Sequence, residues 1–232
     1  MRRRRPPLLM PADAPLYFPN PNLADSDGLV AIGGDLSPAR LLLAYESGIF
    51  PWYDEGMPPL WWSPDPRAVI EIENLHVSRS LRRVMRQGRF RVTQNRAFEA
   101  VMRACGERDE GTWILPEMIV AYVDLHRSGH AHSVEVWQGP ELVGGIYGVQ
   151  RGALFAAESM FHRATDASKV ALVSVVRAVF ARGVQLFDVQ LPTPHLESMG
   201  ATALPRRVYV ERVRRAVTAT VDLRDLDLAL PL

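Results

Sequence analysis

Residues 166–190 read DASKVALVSVVRAVFARGVQLFDVQ, a long apolar helix closed by a glycine and followed at once by a strand. The run from Val170 to Phe180 is apolar on nearly every side, so the helix belongs inside the molecule. Gly183 is a good stop, and Val184, Leu186, Phe187 and Val189 suit a core strand. Working backwards, HSVEVW (132–137), ELVGGIYGV (141–149) and ALFAAES (153–159) read as three strands joined by tight turns at QGPE and QRG. Hairpins followed by a strand–helix–strand crossover predict a mixed sheet flanked by helices, in the α/β or α+β class. RRVYVERV (206–213) reads as one further strand.

The strand then breaks its own pattern. With a repeat of two residues, Val184, Leu186, Asp188 and Gln190 point to one face, which begins apolar and ends in a carboxylate and an amide. Glu158 likewise closes an apolar strand. Buried carboxylates cost several kcal/mol unless paired or solvated. Either these groups line a cleft at the strand ends, or they satisfy one another and neighbouring arginines. Spacing alone leaves the two alternatives level.

Outside this core the chain is uneven. Up to WWSPDPR (61–67) it is rich in proline and tryptophan, with one clear helix after Ser37, Pro38 at its first position and Gly48 as its stop. The proline cluster that follows predicts a boundary between a small N-terminal domain, residues 1–64, and a larger one, residues 65–232. Further helices are expected from Ser78 to Gly88 and around residues 95–105 and 116–128, with RFRVT as a strand after the first.

Of the 232 residues 47% are hydrophobic and the net charge is +1, which suits a globular protein. Lys169 is the only lysine. No apolar run is long enough to span a membrane. The MRRRR start is followed only by LLM between prolines, so export is not expected and the cytoplasm is. The single cysteine, Cys105, excludes an internal disulfide and reads as core filler in FEAVMRACG.

The charge is nevertheless patterned. From Asn74 to Phe98 there is no acidic residue, and Arg79, Arg82, Arg83 and Arg86 fall on one helical face. Like charges at this spacing repel, so an uncompensated row favours a polyanion such as a phosphate backbone, against the plain alternative of a solvated surface. Trp52, Trp61, Trp62 and Trp113 admit core packing or stacking on an unpaired base. His126, His130 and His132 invite a metal site, but Gly129 separates the first two and no further ligand cluster completes one. AIGGD and LVGGIYG lack phosphate-loop and dinucleotide spacing and read as turns or close packing.

Together, FPNPNLADSDGLVAIGGDLSPARLLLAYESGIFPWY, WWSPDPRAV, GTWI, AYVDLHRSGHAHSVEVW, LVGGIYGV, ESMFHRATDASKVAL, DVQ and HLESMGA, in order from Tyr17 to Tyr209, resemble the leucyl/phenylalanyl-tRNA–protein transferase family. The resemblance implies an enzyme of N-end-rule degradation. It would take leucine or phenylalanine, less well methionine, from aminoacyl-tRNA and attach it to proteins beginning with arginine or lysine. It implies a larger domain with the fold of the GNAT acyltransferases, and neither a metal nor a nucleotide cofactor. By the same resemblance Asp188 and Gln190 are the catalytic pair that orients the incoming amine, with Glu158 near the acceptor. Trp52 and Trp113 would hold the terminal adenosine, Ile146 and Phe155 the apolar side chain, and the helix with Arg82 and Arg83 the acceptor stem. Three positions depart from the family pattern: Val189 replaces a frequent cysteine and is expected to face away from the site, Asp166 is a plain helix cap, and Ile146 stands where methionine is common.

Two other classes fit less of the sequence. An acyl-CoA-dependent GNAT enzyme usually carries a glycine-rich pyrophosphate loop before the long helix, and here ESMFHRATDASK contains no glycine. A non-catalytic RNA-binding protein leaves Glu158, Asp188 and Gln190 unexplained.

Overall fold

Two sheets form the frame of the computed structural model, which describes residues 6–107 and 111–228. The arginine run at residues 2–5 lies outside the described residues. The first sheet holds β1 (Leu8–Met10), β2 (Leu29–Gly33), β3 (Phe50–Pro51) and β4 (Leu60–Trp62), in the order β1-β2-β4-β3, with α1 (Pro38–Glu46) between β2 and β3. α1 forms as expected: the Ser37 side chain accepts from Arg40 N at 3.3 Å, Pro38 opens the helix, and Gly48 leaves it at φ +75°.

The second sheet is built from β5 (Arg67–Ile70), β6 (Arg91–Gln94), β7 (Ala131–Gln138), β8 (Glu141–Arg151), β9 (Leu154–His162), β10 (Leu186–Gln190) and β11 (Ala201–Leu204). Its order is β11-β5-β10-β9-β8-β7-β6. Around it lie α2 (Arg79–Arg86), α3 (Phe98–Gly106), α4 (Pro116–Arg127), α5 (Ala167–Ala181), the short α6 (Pro194–Ser198) and α7 (Arg206–Ala216). β9 and β10 are parallel and joined by α5, as the apolar helix and its following strand required. α5 is buried along most of its length and packs on β8, where Gly144 makes room: a Cβ there would lie 2.6 Å from the Cβ of Ala167.

The two sheets share a core. Tyr45 from α1 and Trp61 from β4 belong to the same buried cluster as Phe98, Met118 and Tyr122 from α3 and α4. Cys105 is buried in that cluster. Among the described residues no helix is long and apolar enough to cross a membrane.

The sheet opens at one place. In the β8–β9 ladder, Tyr147 pairs with Ser159 and Gly148 with Ala157, so Glu158 is the extra residue of a bulge. In the β10–β5 ladder, Asp188 pairs with Val69 and Gln190 with Ala68, so Val189 is extra in turn. The parallel β9–β10 pairing ends at Asp188 opposite Ala156. Two bulges side by side thus part the strands beyond that point, as bulges do where a sheet must release a ladder.

Four expectations need correction. RRVYVERV is not a strand but the body of α7: Tyr209, Val210, Val213 and Ala216 are its buried apolar residues, a helical spacing that short valine alternation imitates. Val184 precedes β10 and packs in the α5 cluster, whereas Leu186 packs with α7, so the two do not share a face. Asp166 does not cap α5 with its side chain; it sits at φ +69° and pairs with Lys169 at 3.1 Å. Val189 faces the opening rather than away from it.

Candidate active site

A cleft of about 410 Å³ occupies the gap between the parted strands. Glu158 and Gln190 line it from the two bulges, Trp52 and Trp113 from the loops opposite, and Met160 and Leu196 from its sides. Behind it lies a smaller cavity of about 60 Å³ whose apolar lining includes Ile146, Leu172, Val189 and Met160. Glu158 and Gln190 border both spaces. Trp52 is 43% exposed, yet its main chain is held by Trp62, whose indole Nε1 donates to the Trp52 carbonyl at 2.7 Å.

The two carboxylates of this region have opposite surroundings. Asp188 is fully buried and does not line the cleft. Arg67 donates to it twice, Nε to Oδ1 at 2.8 Å and Nη2 to Oδ2 at 2.6 Å, and the Tyr209 hydroxyl donates to Oδ2 at 2.9 Å. The Arg67 guanidinium lies 4.6 Å from the ring centres of both Phe50 and Tyr209 and is itself only 1% exposed. Burial works most strongly against its charge, but Asp188, Tyr209 and Glu158 together outweigh it and raise the pKa. Asp188 also accepts from the main-chain N of Gln190 at 3.0 Å. That bond supports the left-handed backbone of Gln190, φ +56°, which a side chain adopts only when its surroundings compel it.

Glu158 keeps a partly exposed edge in the cleft and forms no ion pair with an arginine among the described residues, though the charge of Arg67 acts on it from a distance. Gln190 Nε2 donates to its Oε1 at 3.2 Å, and the Tyr122 hydroxyl makes a longer contact of 3.4 Å to its Oε2. Tyr122 is in turn 2.5 Å from the hydroxyl of Tyr45. Burial pushes the Glu158 carboxyl up to about 8; the Tyr45 hydroxyl opposes the shift and the charge of Asp188 adds to it. Burial, and then the proximity of Glu158, keeps both phenols protonated far above their ordinary range. The result is a carboxyl that gains or loses a proton near neutrality, beside an amide whose oxygen can accept.

The structure therefore brings together Trp52, Trp113, Ile146, Glu158 and Gln190. It does not bring Asp188 to the cleft, and Phe155 is stacked behind it on Phe187 with ring centres 5.3 Å apart. Phe155 is one of the inward residues of β9 before the bulge, which is why it packs on the core instead. Arg79, Arg82, Arg83 and Arg86 are exposed on α2, and none of the four forms an ion pair among the described residues. Of the histidines, His126 stacks on Phe98 at 4.3 Å and His132 contacts Asn95 and Gln150, so these rings serve packing and hydrogen bonding.

Arg67, Tyr209, Tyr45 and Tyr122 were not singled out by the sequence. Arg67 was detectable as a lone charge at the head of the apolar run AVI. The tyrosines carry no such signal, because each sits on a helix face that reads as ordinary core.

The sequence model described as Leucyl/phenylalanyl-tRNA protein transferase matches residues 69–214, and that of the family's N-terminal domain matches residues 34–65. This chain belongs to that family. Leucyl/phenylalanyl-tRNA–protein transferases similar to it include one from Anaeromyxobacter sp. (strain Fw109-5), 56% identical over 86% of this chain and 87% of the relative. One from Syntrophobacter fumaroxidans is 57% identical over 84% of this chain and 85% of the relative, and one from Proteus mirabilis 49% identical over 93% and 95%. The two model matches include every residue that lines the cleft.

Proposed function

We propose that the cleft between β9 and β10 is where this aminoacyltransferase joins its two substrates, an aminoacyl-tRNA and a protein. The donor would carry leucine or phenylalanine, less well methionine, and the acceptor would begin with arginine or lysine, which marks it for N-end-rule degradation in the cytoplasm. The observation that carries the reading is the Glu158–Gln190 contact at 3.2 Å, set between two tryptophans and in front of an apolar cavity. Stacking between Trp52 and Trp113 suits a terminal adenosine, and Ile146 with Met160 suits an unbranched or γ-branched apolar side chain. A serine or aspartate side chain would be desolvated there without a partner.

The chemistry asks for little more than placement. The ester of the donor is already activated, and the acceptor α-amine has an ordinary pKa of about 8. The amine nitrogen attacks the ester carbonyl, the new C–N bond forms, the C–O bond to the ribose breaks, and the ribose oxygen takes up a proton. The acceptor enters as its ammonium; the ionised fraction of Glu158 takes one proton from it, a nearly even transfer because the two pKa values are close, and the proton lost as the C–N bond forms passes to the ribose oxygen. Gln190 holds the amine through its side-chain oxygen, since its nitrogen is engaged with Glu158. Asp188 acts through Gln190, by fixing the bulge that aims it, and is a positioning residue on this reading. The row of arginines on α2 would neutralise acceptor-stem phosphates.

On the same reading residues 1–64 form the smaller domain and residues 65–232 a GNAT-like one, in which the parted strands hold the acyl donor. The direct test is transfer of radiolabelled leucine from Leu-tRNA to a peptide beginning with arginine. Incorporation that ribonuclease abolishes, with no use of acyl-CoA, is expected. Transfer from acyl-CoA that ribonuclease leaves untouched would contradict it.

A further inference from the structure

A second recess of about 410 Å³ lies next to the cleft, at the start of α5. His162 from the end of β9, Lys169 and Ser168 from the first turn of α5, and His195 from α6 line it, and Met160 lines both it and the cleft. Both walls run continuously from one space to the other. Along β9, Glu158 and Met160 face the cleft and His162 the recess, a step of two residues or about 7 Å. Along α6, Leu196 faces the cleft and His195 the recess.

The recess has the chemistry of an anion site. Lys169 and two imidazoles able to donate, His162 and His195, meet there against one carboxylate, Asp166, already paired with Lys169 at 3.1 Å. Burial, then Lys169 and His162, hold His195 below its ordinary pKa, so it serves as a neutral donor. The 15-residue α5 presents its N-terminal end, and the side chain of its N-cap residue does not cap that end. Ser168 is only 7% exposed, borders the recess, and has no hydrogen-bond partner for its hydroxyl among the described residues. A hydroxyl buried to that degree ordinarily finds a partner. Lys169 is also the only lysine of a chain whose other permanently charged side-chain cations are all arginine.

We propose that this recess binds the phosphodiester that precedes the terminal adenosine of the donor RNA, through Lys169, His195 and the hydroxyl of Ser168. The proposal rests on the cleft being the donor site. With the adenosine between Trp52 and Trp113, the next phosphodiester of an extended strand would leave the cleft past Met160, the side chain shared with the recess. The contact would tell a nucleotide donor from a bare aminoacyl-nucleoside, and would anchor the single-stranded end independently of the arginines on α2.

The test measures dissociation constants of two inert donor analogues on the full chain. One is adenosine with leucine in amide linkage at its 3′ position; the other carries in addition a 5′-linked cytidylyl phosphate. The wild-type protein should bind the second about tenfold more tightly, as expected for a charge-assisted contact. A Lys169→Gln, His195→Gln double variant should bring the two analogues to parity while leaving the first unchanged. Equal wild-type affinities would overturn the site although the donor cleft stood. Equal weakening of both analogues in the variant would also overturn it, by showing a structural role for the pair. Failure of both analogues to bind would remove the donor cleft and this site with it.

Discussion

Asp188 and Glu158 sit on neighbouring strands of one sheet, Asp188 opposite Ala156 and Glu158 two residues further on, and the molecule treats them in opposite ways. Asp188 is closed off from water and held by a two-pronged arginine and a tyrosine hydroxyl. Glu158 opens on the cleft, touches an amide and a phenol, and keeps its proton up to about 8. A buried carboxylate with a full set of charged partners is a brace, because its removal strands the partner's charge. A carboxyl with neutral partners is a proton site, because nothing fixes its ionisation. The difference comes from one element: Arg67, at the start of β5, reaches Asp188 and not Glu158.

The largest effect should come from breaking the brace. Asp188→Asn leaves the Arg67 guanidinium buried and uncompensated, a loss of about 3–5 kcal/mol. For a chain of this size that lowers Tm by roughly 10 °C or more, with activity falling alongside. Thermal melts decide it, and an unchanged Tm with kcat reduced a hundredfold would move Asp188 from the brace to the chemistry.

Gln190→Ala should separate the two properties in the other direction. Its side chain touches Glu158 and the cleft, so kcat should fall by about 10²–10³ while Tm shifts by only a few degrees. Steady-state rates and melts on the same preparation show whether it does.

Glu158→Gln removes the proton site and keeps the shape. Since the folded-state pKa lies above the ordinary 4.5, the unfolded chain ionises first as pH rises. Wild-type stability contributed by this group is therefore fully present below about 4.5, declines between 4.5 and 8, and is fully lost above that window. The variant should lack this decline, and its Tm relative to the wild type should rise with pH across the window. Its rate should also lose one of the two proton dependences below neutrality, leaving that of the acceptor amine. Parallel Tm curves for the two proteins would make Glu158 an ordinary carboxylate.

The smallest effect on the fold belongs to α2. Arg82→Ala with Arg83→Ala should leave Tm within about a degree, since both side chains are exposed. The salt dependence of the KM for aminoacyl-tRNA should flatten by about 0.9 in log–log slope for each phosphate that is no longer neutralised. An unchanged slope would leave the helix as solvated surface.

Much of this fold can be read from residues 131–190, where apolar strands, two tight turns and an apolar helix each have one sensible partner. What alternation could not convey is the pair of bulges. A repeat of two residues assumes an unbroken ladder, and the extra residues at Glu158 and Val189 break it where the site is. For that reason Val189 faces the cleft, against expectation, whereas Phe155, in the regular ladder before the bulge, packs on Phe187 in the core. Glu158 and Gln190 were legible because polar groups at the ends of apolar strands are conspicuous. Their partners were not: Arg67 is 121 residues from Asp188 and the tyrosines come from three helices, and a contact made by tertiary packing leaves no local pattern. The α7 segment shows the same limit, since its valines fit either period until Tyr209 is seen against Asp188.

The division between brace and proton site can be tested on the wild-type protein itself. Infrared difference spectra between wild type and Glu158→Gln isolate the carboxyl of that residue as pH is raised. The account predicts the band of a protonated carboxyl at neutral pH, disappearing with a midpoint near 8. A carboxylate band that persists unchanged from neutral pH down to the ordinary range of glutamate would contradict it.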